Sequence, residues 1–310
     1  MRFLPYAALA AAAVLWGTNP VLARLIGGAV PPITLSWLRW LLVLGLSAPF
    51  VWRWRHQIAG AFRGHWRVLV PLAALANVPQ SALIYKGLES TGAINVGLLN
   101  SSIPVLIVLA GALFFGRPVV LREAVGIAVS LAGVAIVLFQ GSLERALALS
   151  LNGGDLFAFA GMLTWAFYTL LLPRRPAMPL LAFVFCMSAI GVAMGAPAAA
   201  LEIALDRPPT FHVAATLAIV LIALGPTLAG TLAYSFGAER VGPVHAGVFL
   251  HLMPVSASLF AIALLGEELH AYHLAGFALV LAGALLAIDV TRLLSSPPRP
   301  WLRITGRSHG

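Results

Sequence analysis

The sequence predicts an all-α polytopic membrane protein: ten transmembrane helices as two inverted five-helix repeats around a central cavity. Three observations carry that expectation. Charged residues make up 9% of the chain and hydrophobic ones 61%, against about 25% charged in a soluble domain. Apolar segments of roughly 20 residues recur, the length that crosses about 30 Å of hydrocarbon at 1.5 Å per residue. The second part of the chain also repeats the first at a constant offset of 150 positions.

The ten apolar segments are 4–26, 33–52, 68–87, 92–115 and 121–139, then 154–172, 179–201, 213–236, 243–265 and 271–290. Mean hydropathy over the whole chain is +0.97. With the N-terminus inside, fourteen of the 19 basic residues fall in inner segments, Arg53, Arg55, Arg63 and Arg67 among them. Arg24, Lys86, Arg145 and Arg207 lie outside, and Arg39 lies within the second span. That bias places both termini in the cytoplasm. It also accounts for the net charge of +9. The arginines are spread over short loops instead of one stripe, so no nucleic-acid partner is expected. Cys186 is the sole cysteine, which excludes an internal disulfide. The first span is too long for a removed signal peptide and lacks its cleavage pattern. The Pro-rich basic tail 292–310 is expected to be a surface segment touching anionic headgroups at most.

The repeat is legible in GLESTGAINVGLLNSSIPV (87–105) set over GAERVGPVHAGVFLHLMPV (237–255). Gly87, Glu89, Gly92, Gly97 and Pro104 meet Gly237, Glu239, Gly242, Gly247 and Pro254, and the register closes on LAG at 131–133 and 281–283. Glycines and prolines carry much of the match, so shared hydrophobicity does not explain it. The halves are 1–141 and 142–291, each with five spans. An odd number of spans inverts the second copy, an arrangement typical of secondary transporters with a site near the midplane. A duplicated scaffold or receptor without moving parts is the alternative.

Polar groups recur on one side of several spans. In NVPQSALIYKG (77–87), Asn77, Gln80, Ser81 and Tyr85 would stack along a helix that ends at Lys86, the only lysine. The first span offers Trp16 and Asn19, the sixth Trp165 and Tyr168, and the eighth Tyr234. The fourth offers Asn95 and Ser101, and the ninth carries His245 and His251 at the same two repeat positions. Groups of this kind should face the bundle interior or a wet cavity. Hydrogen-bonded glue between helices is the bland alternative for each. Trp16, Trp165, Tyr85, Tyr168 and Tyr234 would suit a pocket that stacks flat or apolar side chains. Pro20, Pro79, Pro104 and Pro254 are expected to interrupt spans, and the repeat-related Pro104 and Pro254 to be bending points for gating.

Lys86 either snorkels to headgroups or, like Arg39, attracts a substrate carboxylate. Asp155, Glu89, Glu202, Glu239, Glu267, Glu268 and Asp289 all fall near span ends. Without a carboxylate at mid-span, facilitated diffusion is favoured over ion coupling. EELHAYH (267–273) resembles a metal ligand set, but histidines three apart are weak evidence. No metal or cofactor is expected. HExxH, GxSxG and P-loop sequences are absent, so an enzyme is not expected either.

WGTN (16–19), Arg39 in LRW, Gly92-Ala93, Pro104, the LAG endings and GEELHAYHLAGFALVLAG (266–283) resemble the drug/metabolite transporter superfamily, specifically its ten-helix EamA type. The resemblance covers residues 4–291. Arg117 departs from it, standing where the family often has the glutamate that Glu267 keeps in the second copy. The aromatic residues and the third-span lysine look most like the YddG-type exporters of aromatic and other neutral amino acids. That resemblance implies ten helices around a cavity, alternating access, and export across a bacterial inner membrane. The implied partners are amino acids and the lipid bilayer, with the chain acting as a monomer. A sugar-phosphate or nucleotide-sugar antiporter is the rival within the superfamily, but several phosphates would favour more interior cations than this chain shows.

Overall fold

A computed structural model describes residues 3–88, 90, 96, 99–205, 208–265 and 268–287. Asn95, Glu89, Glu267 and the tail 292–310 lie outside those residues, as does the side chain of Tyr85. Among the described residues every regular element is helical. Among those residues, seven helical runs are long and apolar enough to cross a membrane: Pro32–Gly64, Trp66–Ile84, Leu121–Leu138, Gly153–Arg174, Leu180–Leu205, Val213–Val241 and Pro243–Leu264. Leu4–Gly17, Ile103–Phe115 and Ala271–Ala287 are shorter apolar helices. The first expected span is divided at Thr18, whose hydroxyl donates to the Leu15 carbonyl at 2.6 Å before the helix Asn19–Ile26 begins.

The surface is as apolar as the interior. Leu113 and Leu205 are each 78% exposed and Val213 is 86% exposed. Water would penalise such a surface, and hydrocarbon is the solvent it fits. Lipid offers no hydrophobic drive between helices, so close backbone approach and small residues must hold them together. The helices Leu121–Leu138 and Ala271–Ala287 do this along a glycine seam. A Cβ on Gly126 would strike the backbone at Gly283 and Ala287, and one on Gly133 would strike that at Gly276 and Val280. Ser130 fastens the middle, donating to the Val280 carbonyl at 3.0 Å. Gly87 approaches Gly154 and Ala158 in the same way, and Gly237, 150 positions further on, approaches Pro5 and Leu9.

Helix starts are fixed by side chains from near and far. Asn152 and Asp155 form a capping box at the start of Gly153–Leu171. The helix Pro32–Val51 has no local cap; Glu202 supplies one from the far end of Leu180–Leu205, accepting from Ile33 N at 3.0 Å and Thr34 N at 2.6 Å.

The prolines expected to interrupt spans behave differently. Pro20, Pro79, Pro104 and Pro254 each fall in the first turn of a helix: Asn19–Ile26, Val78–Leu88, Ile103–Phe115 and Leu252–Leu265. N–H groups in a first turn have no intrahelical partner, so proline costs little there. The breaks lie just upstream instead, at the Ser102 turn and at the 3-10 turn Phe249–His251. Among the described residues, Pro49, Pro71 and Pro197 lie inside α-helices and Pro226 inside the π-helical turn Ala223–Gly230.

Candidate functional site

Four of the expected aromatic residues meet. Trp16 stands edge-on to Trp165, with centroids 5.4 Å apart and planes at 87°, and 5.1 Å from Tyr234. Trp165 lies 5.0 Å from Tyr168 and 5.7 Å from Tyr234. The hydroxyls are held within the protein. Tyr234 shares a hydrogen bond with Thr169 at 3.0 Å, and Tyr168 a longer one with Ser235 at 3.4 Å. Tyr168 and Tyr234 are fully buried, and Trp16 is 9% exposed. In this conformation the quartet is a packed cluster whose least enclosed ring is that of Trp165. Its position follows from the helix Val213–Val241, which winds as a π-helix over Ala223–Gly230. The Trp16 indole N–H donates to the Pro226 carbonyl of that segment at 2.8 Å, and Gly230 leaves the ring its space. Turns of this type concentrate at functional sites.

Arg39 is the second centre. It is the eighth residue of Pro32–Val51, about 10 Å along the helix at 1.5 Å per residue. Its Nη2 donates to Ser81 at 3.0 Å and Ser36 at 3.4 Å, while Nε is buried without a partner among the described residues. Ser81 in turn donates to Gln80 Oε1 at 3.5 Å. A guanidinium among hydroxyls and an amide keeps its charge and a spare donor, the chemistry that recognises a carboxylate. Lys86, later on the same helix as Ser81, is exposed.

Other expected residues turn inward to structural partners. Asn77 lies between the helices Trp66–Ala76 and Val78–Leu88, not on a helical stripe. It is fully buried, and its Nδ2 donates to Met187 O at 2.6 Å. His251 Nε2 donates to the Ser101 carbonyl at 2.9 Å, joining two residues 150 positions apart. Asn19 is half-buried at the start of its helix. The aromatic quartet, the Arg39 group and the Ser101–His251 bond are therefore three separate groupings.

One buried carboxylate escaped the sequence reading. Glu123, only 4% exposed, pairs with Arg117 at 2.8 Å and lies 3.8 Å from His245. Its position inside the apolar run 121–139 was the available signal. Arg175 likewise pairs with Glu239 and donates to the Met178 carbonyl at 2.8 Å.

A sequence profile of the EamA-like transporter family matches residues 4–139 and 152–288. The chain belongs to the EamA-like transporter family. This EamA-like chain is 27% identical over 217 residues to the uncharacterized transporter YyaM of Bacillus subtilis (strain 168), covering 69% of this chain and 70% of that one. It is 24% identical over 283 residues to an uncharacterized transporter of Archaeoglobus fulgidus, covering 90% and 95%. A crystal structure at 22% identity shares the fold with a TM-score of 0.76, over 94% of this chain and 99% of that one. Family and apolar helices together make this a multi-pass membrane protein of a transporter family.

Proposed function

We propose that this EamA-like protein exports aromatic and neutral apolar amino acids across a bacterial inner membrane by alternating access, down the substrate gradient. In this reading ten helices form two inverted halves, and both termini are cytoplasmic. The two-half arrangement is supported by the contacts of Gly87 and Gly237, by the reciprocal seam at Gly126, Gly133, Gly276 and Gly283, and by the separate profile matches. Cytoplasmic termini are supported by the arginine bias.

Arg39 is the observation that carries the substrate class. It is a cation inside a span whose partners are neutral hydroxyls, so an anionic group of the substrate would complete it. An amino acid brings one carboxylate. The quartet around Trp165 would accept its side chain once the halves separate, with Tyr85 and Lys86 toward the outer mouth. Pro104 and Pro254 would mark the bending points by starting new helices after each break.

The test is efflux of labelled phenylalanine or tryptophan from proteoliposomes without an ion gradient. Flux is expected for the native protein. Arg39→Gln should lower it roughly 10- to 100-fold, the equivalent of about 1.5–3 kcal/mol for a hydrogen bond to a charged group, while thermal stability stays within about 1 kcal/mol. Absence of flux for every amino acid would eliminate this substrate class.

A further inference from the structure

Two charged clusters lie near the end of the helix Ile103–Phe115. Arg174 lies over the Phe115 ring at 5.3 Å, and the neighbouring Arg175 pairs with Glu239. Arg117, Glu123 and His245 form a second cluster at the same end. Arg117 follows the helix Ile103–Phe115, Glu123 is the third residue of Leu121–Leu138, and His245 the third of Pro243–Val248. Arg117 Nη2 donates to Glu123 Oε1, and His245 Nε2 stands 3.8 Å from that same oxygen. The Glu123 side chain is 5% exposed and that of His245 22%. Glu123 Oε2 and His245 Nε2 are both buried without a hydrogen-bond partner among the described residues.

The second ring nitrogen decides the chemistry. His245 Nδ1 lies 2.9 Å from the Val241 carbonyl, which can only accept, so Nδ1 carries a hydrogen. In a neutral ring Nε2 is then a bare lone pair facing a carboxylate oxygen, and the two repel. One added proton converts that repulsion into a charge-assisted hydrogen bond of about 2.8 Å.

The other ionisable groups on elements packed against Pro243–Val248 have their own contacts. Tyr234 bonds Thr169, Glu239 pairs with Arg175, and Arg240 donates to Phe236 O. Tyr168 bonds Ser235, Asp155 caps its own helix, and His251 bonds Ser101. Tyr272 packs on His270, and His273 accepts from His270 N. Arg122, beside Glu123, adds a positive charge to the helix Leu121–Leu138.

We propose that Glu123 and His245, braced by Arg117, form a proton-binding site that clamps the two halves together at the cytoplasmic end. Closing takes up one proton and opening releases it, so acidification favours the cytoplasmic-closed form. A single proton shifts that equilibrium by up to about tenfold per pH unit. The inference rests on the alternating-access reading above. In this reading the site faces the cytoplasm alone, so its proton leaves by the side it entered. It gates transport without being carried, which keeps the transport downhill.

The test reads the clamp without any substrate. Spin labels are placed at exposed Val119 and Arg240, in a Cys186→Ala background, in lipid nanodiscs. Pulsed electron resonance is recorded from about pH 5.5 to about pH 8.5, the range in which histidine acts as a charge switch. The distance should move from short to long as pH rises. Glu123→Gln and His245→Gln should each abolish the movement, and exposed His65→Gln should retain it. If one of the two variants does not insert, the other decides. No pH response in the native residues, or a response that survives either substitution, would overturn the proposal. Amino-acid flux is measured separately in liposomes. A clamp that moves without any flux would sink the substrate reading alone, and flux with an immobile clamp would sink the proton site alone.

Discussion

The third and eighth expected spans bend at related positions by different chemistry. Trp66–Ala76 stops at Asn77, whose φ of −106° and ψ of −137° leave the helix altogether, and Val78–Leu88 restarts at once. In the other half Thr227 stands 150 positions on, inside Ala223–Gly230, where the chain stays helical but widens to a π-helix. Each irregularity is stapled by one side-chain donor. The Asn77 amide bonds Met187 O of Leu180–Leu205, and the Trp16 indole bonds Pro226 O. A glycine makes room in both cases, Gly191 beside Asn77 and Gly230 beside Trp16. The break is confined to the dihedrals of one residue, while the π-helix spreads the irregularity over a whole turn. The first half therefore holds a point break and the second a distributed one.

The largest expected effect comes from filling the space at the Asn77 break. A side chain on Gly191 would collide with Asn77. Gly191→Val should destabilise by about 1–3 kcal/mol, the usual range for overpacking, read as a lower unfolding midpoint in detergent. A stability equal to the native protein's would mean that Asn77 is free to leave its seat, and would end the description of the break as stapled.

Removing the staple itself should cost less. Asn77→Ala deletes the bond to Met187 O, and side-chain bonds between membrane helices contribute about 0.6 kcal/mol on average and about 1.7 at most. The informative readout is local. Amide exchange around 76–81 should accelerate while that at 223–231 does not change. Equal acceleration in both segments would show that the two irregularities move together.

The sequence made the seams legible and the breaks obscure, and the reason is geometric. Glycines 126, 133, 276 and 283 are visible as a repeat because backbone contact tolerates no other residue there. Composition marked the prolines that stand at interruptions of spans, but not whether each lies inside a helix or opens one. The turn at Ser102 and the 3-10 turn at 249–251 decide that. Asn77 fitted a polar stripe by spacing, yet spacing assumes an unbroken helix. The aromatic quartet was legible as a set, since tryptophans deep in spans need partners. Its present closure was not, because hydrogen bonds such as Tyr234 to Thr169 depend on how helices distant in sequence come together. Glu123 was masked by its place next to Arg122 at the edge of an apolar run, and its partner His245 lies in the other half.

The smallest expected effect sharpens the contrast most. Trp16→Phe keeps an aromatic ring against Trp165 and Tyr234 but removes the donor to Pro226 O. If the indole staple alone held the π-helix, that segment would revert to ordinary winding and lose protection from exchange. Pro226 argues otherwise, because it has no N–H and disturbs the helix from within, whatever Trp16 does. The expected outcome is a loss below about 0.6 kcal/mol, smaller than for Asn77→Ala, with exchange at 223–231 nearly unchanged. A loss larger than that of Asn77→Ala would reverse the comparison and make the Trp16–Pro226 bond the stronger staple.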